Sequence, residues 1–156
     1  VGQHGLLGKQ NLYDHSCRVP FVISGPGVPR GATRDHYAYL LDVVPTLCDI
    51  LGLPAPDSVE GESFAPSLES NRNVHRERLF LGYGESQRAL KQDGYKLIEY
   101  KVGDKRHTQL FDLREDPWEL TSLHKEPSHQ ALLSNLRAAL TEEASELDDP
   151  VPRFWG

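Results

Sequence analysis

Gln87-Arg88-Ala89-Leu90-Lys91-Gln92-Asp93-Gly94-Tyr95-Lys96-Leu97-Ile98-Glu99-Tyr100 reads as a β-hairpin. Asp-Gly at its centre suits the two positive-φ positions of a tight hairpin turn, and short runs rich in apolar and aromatic residues lie on either side. Working outward, Arg78–Tyr83 precedes the hairpin, and Thr108–Leu113 follows a looser turn, Val102-Gly103-Asp104-Lys105-Arg106. The expectation is a four-stranded antiparallel meander over Arg78–Tyr83, Gln87–Gln92, Tyr95–Lys101 and Thr108–Leu113. Arg114–Glu119 reads as a turn. Pro127 or Ser128 opens a last helix, with Leu132, Leu133, Leu136, Ala139 and Leu140 on one face. Glu142, Glu143 and Glu146 form its solvated end, and Pro150–Gly156 is an extended tail whose Phe154 and Trp155 are either docked or disordered.

The first seventy residues have another texture. His4-Gly5-Leu6-Leu7-Gly8-Lys9 is a glycine-punctuated polar loop, and Val19–Ser24 is apolar without alternation. The latter pattern predicts a strand buried on both faces of a parallel sheet, broken by Gly25-Pro26-Gly27. Loops at strand ends are where α/β proteins carry active-site groups. Tyr37–Leu41 reads as a further extended segment. Asp42 serves as the N-cap of a helix with Pro45 in its first turn and Val43, Val44, Leu47, Ile50 and Leu51 at helical spacing. Gly52 and Pro54 stop it. Residues 53–78 read as a surface connection. The fold class is therefore an α/β piece over 1–70, followed by a small α+β subdomain over 71–156 with a four-stranded antiparallel sheet and a C-terminal helix.

The 156 residues could form one domain or two small ones, and 38% hydrophobic content is low for a self-sufficient core. A net charge of −6 argues against a general nucleic-acid surface but leaves room for a local basic pocket around Lys9. No stretch approaches the roughly 18 consecutive apolar residues of a membrane span. The chain begins at Val1 and contains no Met, so further residues are expected before it. Cys17 and Cys48 make no disulfide framework and read as small buried side chains, and no structural-zinc spacing occurs.

Four segments, in order, resemble the sulfatases of the alkaline-phosphatase-like superfamily. They are Gly2-Gln3-His4-Gly5 with Gly8-Lys9, Tyr13 and Arg18-Val19-Pro20; Leu41-Asp42-Val43-Val44-Pro45-Thr46-Leu47 with Leu51-Gly52-Leu53-Pro54; Gly61-Glu62-Ser63-Phe64 with Pro66-Ser67-Leu68; and Asp93-Gly94-Tyr95-Lys96-Leu97-Ile98 with Gln109-Leu110-Phe111-Asp112-Leu113, Asp116-Pro117, Glu119 and Leu123. The resemblance spans residues 2–123 and is to the C-terminal part of such an enzyme. It implies hydrolysis of a sulfate ester by a formylglycine nucleophile with a divalent cation, usually calcium. A sulfated small molecule or glycan would be the substrate, in a periplasmic, secreted or lysosomal-type compartment.

Lys9 matches the family lysine that contacts sulfate, a role that suits a compact ammonium with three donors. His4 matches the histidine of the family's Gly-x-His-Gly segment and would meet the leaving-group side of the substrate or line its pocket. Asp14 stands where the family often has Glu, and is expected to fix the loop by a hydrogen bond or to pair with Arg18. His15 is adjacent and carries no assigned role. Neither Cys17 nor Cys48 begins the Cys-x-Pro-x-Arg formylglycine signature, so neither is the nucleophile. The family's metal ligands would lie before Val1, so no complete metal site is expected within residues 1–156. The chain alone is expected to be inactive, and either to dock on an upstream portion or to self-associate through Val19–Ser24. A phosphonate or phosphate monoester hydrolase of the same superfamily, or a non-catalytic glycan- or partner-binding module over 71–156, stays open beside the sulfatase reading.

Overall fold

A computed structural model describes residues 2–149. The expectations for the Pro150–Gly156 tail lie outside the described residues. The chain forms two compact units. One joins the residues up to 19 with those from 80 onward, and the other holds 20–79. The units do not follow chain order, whereas the division expected at residue 70 does.

In chain order, the elements are α1 (Asp14–Cys17), α2 (Val43–Leu51), α3 (Ala65–Glu69), β1 (Arg78–Tyr83), β2 (Gln87–Gln92), β3 (Tyr95–Val102), β4 (Lys105–Asp112) and α4 (Gln130–Glu146). The sheet runs β1-β2-β3-β4. β2 and β3 pair antiparallel with Gln92 opposite Tyr95, around Asp93 and Gly94 at φ 51° and 77°. These are the two left-handed positions that the Asp-Gly turn supplies. β3 and β4 pair down to Val102 opposite Lys105, so β4 begins three residues before the expected Thr108. Gly103 at φ 58° makes that turn tight, and the looser turn read over 102–106 becomes a two-residue hairpin.

The pleat sends alternate side chains to opposite faces. On one face Leu90, Leu97 and Leu110 pack against Leu133, Leu136 and Leu140 of α4. On the other, Ala89, Ile98 and Phe111 pack against Leu12 and Tyr13 of the N-terminal loop. Burying each of these leucines stabilises the unit by about 1.5–3 kcal/mol, so α4 and the loop each cover a face that would otherwise be wet. A 3-10 turn at Pro127–His129 precedes α4.

Unit 20–79 departs from its expectations in four places, one of them the stretch 53–78, read as a surface connection, which carries α3 and the buried Phe64 and Ser67. Val19–Ser24 is not a strand: it makes no ladder among the described residues, and Val22 is 90% exposed. An apolar run of this kind becomes a strand only beside a partner strand, because its backbone groups need one. In α2 the apolar positions Val44, Leu47 and Leu51 are exposed, and Pro45 and Thr46 are the buried ones. Asp42 does not cap α2 through its side chain. It ends a 3-10 turn, Leu40–Asp42, and its carboxylate turns back into the unit.

That carboxylate is fully buried. It accepts the Tyr39 amide at 2.8 Å, the Glu62 amide at 2.9 Å, Arg76 at 2.7 and 3.0 Å, and meets His75 Nε2 at 3.1 Å. Burial would raise the Asp42 pKa, but the Arg76 guanidinium and the two amides overcome this and hold the carboxyl well below the usual carboxylate range. Thr46 adds a relay: its hydroxyl donates to the Asp42 carbonyl at 2.6 Å and accepts the Phe64 amide at 2.9 Å. Gly52 at φ 65° closes α2 as the sequence predicts.

Candidate functional site

The loop that carries His4 and Lys9 belongs to the unit built on the sheet. Gln3–Gly5 form a 3-10 turn closed by Gly2 N–H donating to the Leu6 carbonyl at 2.8 Å. Within it, His4 sits at φ 55°, ψ 20°. A non-glycine residue there is uncommon, and such backbones persist where the surroundings over-determine them. The surroundings are the Tyr13 ring, stacked on the imidazole at 3.9 Å and 6°. His15 adds a third ring, 5.6 Å from His4 and 5.8 Å from Tyr13.

Four hydrogen bonds tie the loop to itself and to the sheet. Asn11, buried, accepts the Tyr13 amide at 3.1 Å and donates to the Gly8 carbonyl at 3.3 Å. The Tyr13 hydroxyl donates to Gln109 at 2.9 Å, an acceptor that Tyr100 shares at 3.1 Å. Gln87 donates to the Gln10 carbonyl at 3.2 Å. The backbone on both sides of Lys9 is thus held, while the Lys9 side chain is exposed. His4 Nε2 and His15 Nδ1 are buried nitrogens without a hydrogen-bond partner among the described residues. Burial, and next the nearby His4, push the His15 pKa down, favouring the neutral ring.

Asp14 does not pair with Arg18 through its carboxylate. It meets Lys91 at 3.0 and 3.1 Å and Lys96 at 2.8 Å. Burial works to raise its pKa, and the two ammonium groups outweigh that and lower it. Lys96 has no exposed side-chain surface and also lies 2.8 Å from Glu119. Glu119 accepts the Asp14 amide through its other oxygen at 2.6 Å. Cys17 and Cys48 are free and only half-buried, not fully buried as expected. Cys17 Sγ lies 3.7 Å from the Asn11 carbonyl, and burial pushes its thiol pKa up, away from nucleophilic use.

His15, Lys96 and Glu119 were not singled out as site residues from sequence. Lys96 was the readable one: in an alternating strand it shares a face with Ile98, so a charge is pointed at an apolar side. Among the described residues no group of three or more His, Cys, Asp or Glu side chains could hold a metal ion. No helix among the described residues is long and apolar enough to cross a membrane.

Comparison with known proteins places the chain in a family. The family model for the C-terminal region of N-sulphoglucosamine sulphohydrolase matches residues 2–146. Human arylsulfatase K is 32% identical over 133 residues, covering 78% of this chain and 25% of that protein. The Delta 4,5-hexuronate-2-O-sulfatase of Bacteroides thetaiotaomicron is 28% identical over 161 residues, covering 96% and 33%. A solved Bacteroides thetaiotaomicron structure assigned to the sulfatases superposes with a TM-score of 0.72 at 27% identity, over 92% of this chain and 33% of that one. The phosphonate monoester hydrolase of Silicibacter pomeroyi shares the fold, with a TM-score of 0.69 at 21% identity over 89% of this chain and 31% of that one. The chain spans about a quarter to a third of the length of these relatives. It belongs to the N-sulphoglucosamine sulphohydrolase C-terminal family, the C-terminal portion of the sulfatases in the alkaline-phosphatase-like superfamily.

Proposed function

We propose that this chain is part of a sulfuric ester hydrolase, and that its His4–Lys9 loop forms one wall of the sulfate pocket. Lys9 sets its ammonium against the non-bridging sulfate oxygens, and His4 faces the ester oxygen. The observation that carries the reading is the pairing of an exposed lysine on a tethered loop with a buried, unpartnered His4 Nε2. Hydrolysis of a sulfate ester builds negative charge on the sulfonyl oxygens and on the departing alkoxide. A cation on a tethered loop answers the first, and an imidazole nitrogen that makes no other hydrogen bond answers the second. Holding the backbone at Gly8 and Gln10 limits the region that the Lys9 ammonium can reach.

The nucleophile and the divalent cation, calcium by family resemblance, would come from outside residues 1–156. A hexuronate-2-O-sulfatase among the relatives supports a sulfated glycan as the substrate class. The test is Lys9→Ala in the full-length protein, assayed on an aryl sulfate and a sulfated disaccharide. Removing one charge-stabilising donor costs about 10²–10³ in kcat/KM. An unchanged kcat/KM would refute the role of Lys9. Residues 1–156 alone should give no turnover.

A second reading, a phosphonate or phosphate monoester hydrolase, draws on the shared fold with the Silicibacter enzyme. A kcat/KM on an aryl phosphonate above that on the matching sulfate would favour it. Full-length protein without turnover of either ester would favour a non-catalytic glycan- or partner-binding role.

A further inference from the structure

We infer that Lys96 is a positioning residue for the His4–Lys9 loop, acting through Asp14 and Glu119. The inference rests on reading that loop as the wall of the sulfate pocket. Lys96 projects from β3 on the loop side of the sheet, the side of Ile98 and Phe111. Its ammonium is fully buried, 2.8 Å from Asp14 and 2.8 Å from Glu119. An aliphatic side chain would fill the same space without the desolvation cost of a buried charge. What it could not do is bind two carboxylates from two distant segments at once.

Those segments are the end of the loop and the turn after β4. Glu119 sits at φ 57°, a left-handed backbone rare for a non-glycine residue, which its surroundings must hold in place. Its second oxygen takes the Asp14 amide, so Asp14 is gripped by side chain and main chain together. Asp14 directly follows Tyr13, the residue whose ring supports His4. The path from Lys96 to His4 therefore runs through Asp14, one peptide bond and one ring stack. From Tyr13 the same tether reaches Asn11 and the Gly8 carbonyl, next to Lys9. The sheet also holds this stretch through the Tyr13 hydroxyl on Gln109, Lys91 on Asp14 and the solvent-exposed bond from Gln87 to the Gln10 carbonyl, but none of these joins Asp14 to the turn after β4.

The test uses Lys96→Met/Glu119→Gln in the full-length protein. This pair removes one positive and one negative charge, leaves Asp14 with Lys91, and leaves an amide oxygen able to accept the Asp14 N–H. Folding is thereby protected while the bridge is cut. Hydrogen exchange of peptides covering residues 5–17 should rise at least tenfold, and kcat/KM on an aryl sulfate should fall at least tenfold, chiefly through kcat. In a Lys9→Ala background the same pair should lower kcat/KM by less than threefold, because its effect passes through the loop.

Unchanged exchange over residues 5–17 would overturn the inference whatever the activity. So would full additivity with Lys9→Ala, or wild-type kcat/KM in the folded double variant. Wild-type protein inactive on sulfate esters, or Lys9→Ala without effect, would instead bring down the pocket reading, with the exchange arm still reporting on the tether.

Discussion

Asp42→Asn tests how much of unit 20–79 depends on one carboxylate. The replacement keeps the shape and removes the charge. In the native unit Oδ1 accepts the Glu62 amide and Arg76 Nη2, while Oδ2 accepts the Tyr39 amide and Arg76 Nε and faces His75. An asparagine must put its NH2 at one of these positions. Either orientation sets a donor against at least two N–H donors and loses their bonds. Hydrogen bonds to charged groups are each worth about 1.5–3 kcal/mol, and breaking a buried pair from one side costs about 3–5 kcal/mol. The Arg76 side chain is 20% exposed and can recover some hydration, which favours the low end, about 3 kcal/mol. An exposed ion pair would be worth about 0–1 kcal/mol, so the two accounts are well separated.

Amide exchange of residues 39–64 is the assay, since about 3 kcal/mol corresponds to a roughly 100-fold or greater acceleration when opening limits exchange. The folded carboxyl titrates below its unfolded value, so its contribution is complete above about pH 4 and is lost as pH falls through the depressed folded pKa. The gap between wild type and Asp42→Asn should therefore close on acidification and stay open at neutral pH. A difference below 1 kcal/mol at pH 7, or a gap that widens in acid, would refute the reasoning.

Two further substitutions probe close contacts. Gly61→Ala should cost about 2 kcal/mol or more, because the new Cβ would stand 2.1 Å from the Leu41 carbonyl oxygen, a backbone atom unable to swing aside. A thermal melt indistinguishable from wild type would contradict this. Lys96→Met alone should cost about 3–5 kcal/mol, mostly through Glu119, since Asp14 keeps Lys91. Adding Glu119→Gln should recover most of it, and a double variant no more stable in urea than the single one would count against that account.

The sheet was legible because its signals are local. Asp93-Gly94 dictates its turn through backbone angles, and the leucines of α4 share a face with Leu90, Leu97 and Leu110 whatever lies elsewhere. The strand expected at Val19–Ser24 was not secured by its residues, since strand formation depends on a partner outside the run. Asp42 misled for a related reason: the residue before an apolar helix reads as a cap, but the nearby Tyr39 amide and the distant Glu62 amide and Arg76 guanidinium outbid the first turn of α2. His4 and Lys9 were noticed for their glycine-flanked setting and their place in the resemblance. Residue type alone gave no warning that His15 would stack beside them, because Tyr13 and His15 are brought into line by the backbone of α1.

The first and last segments of the resemblance lie far apart in the chain, yet they meet at one cluster of charges. Asp14 follows Tyr13 of the first segment, and Lys96 and Glu119 belong to the fourth. Lys96 reaches Asp14 across 82 residues and Glu119 reaches it across 105. A pocket loop could be held by hydrophobic contact alone, and Leu12 and Tyr13 do contribute that. But hydrophobic contact is non-directional and tolerates sliding, while the hydrogen bonds from Lys96 to Asp14 and from the Asp14 amide to Glu119 accept a narrow set of positions. A reaction that needs a cation placed to within a fraction of an ångström gains from the second kind of restraint. The sheet then has two jobs on its two faces: α4 stabilises it on one side, and on the other Lys96 converts that rigidity into a fixed address for Asp14, Tyr13 and the His4 ring.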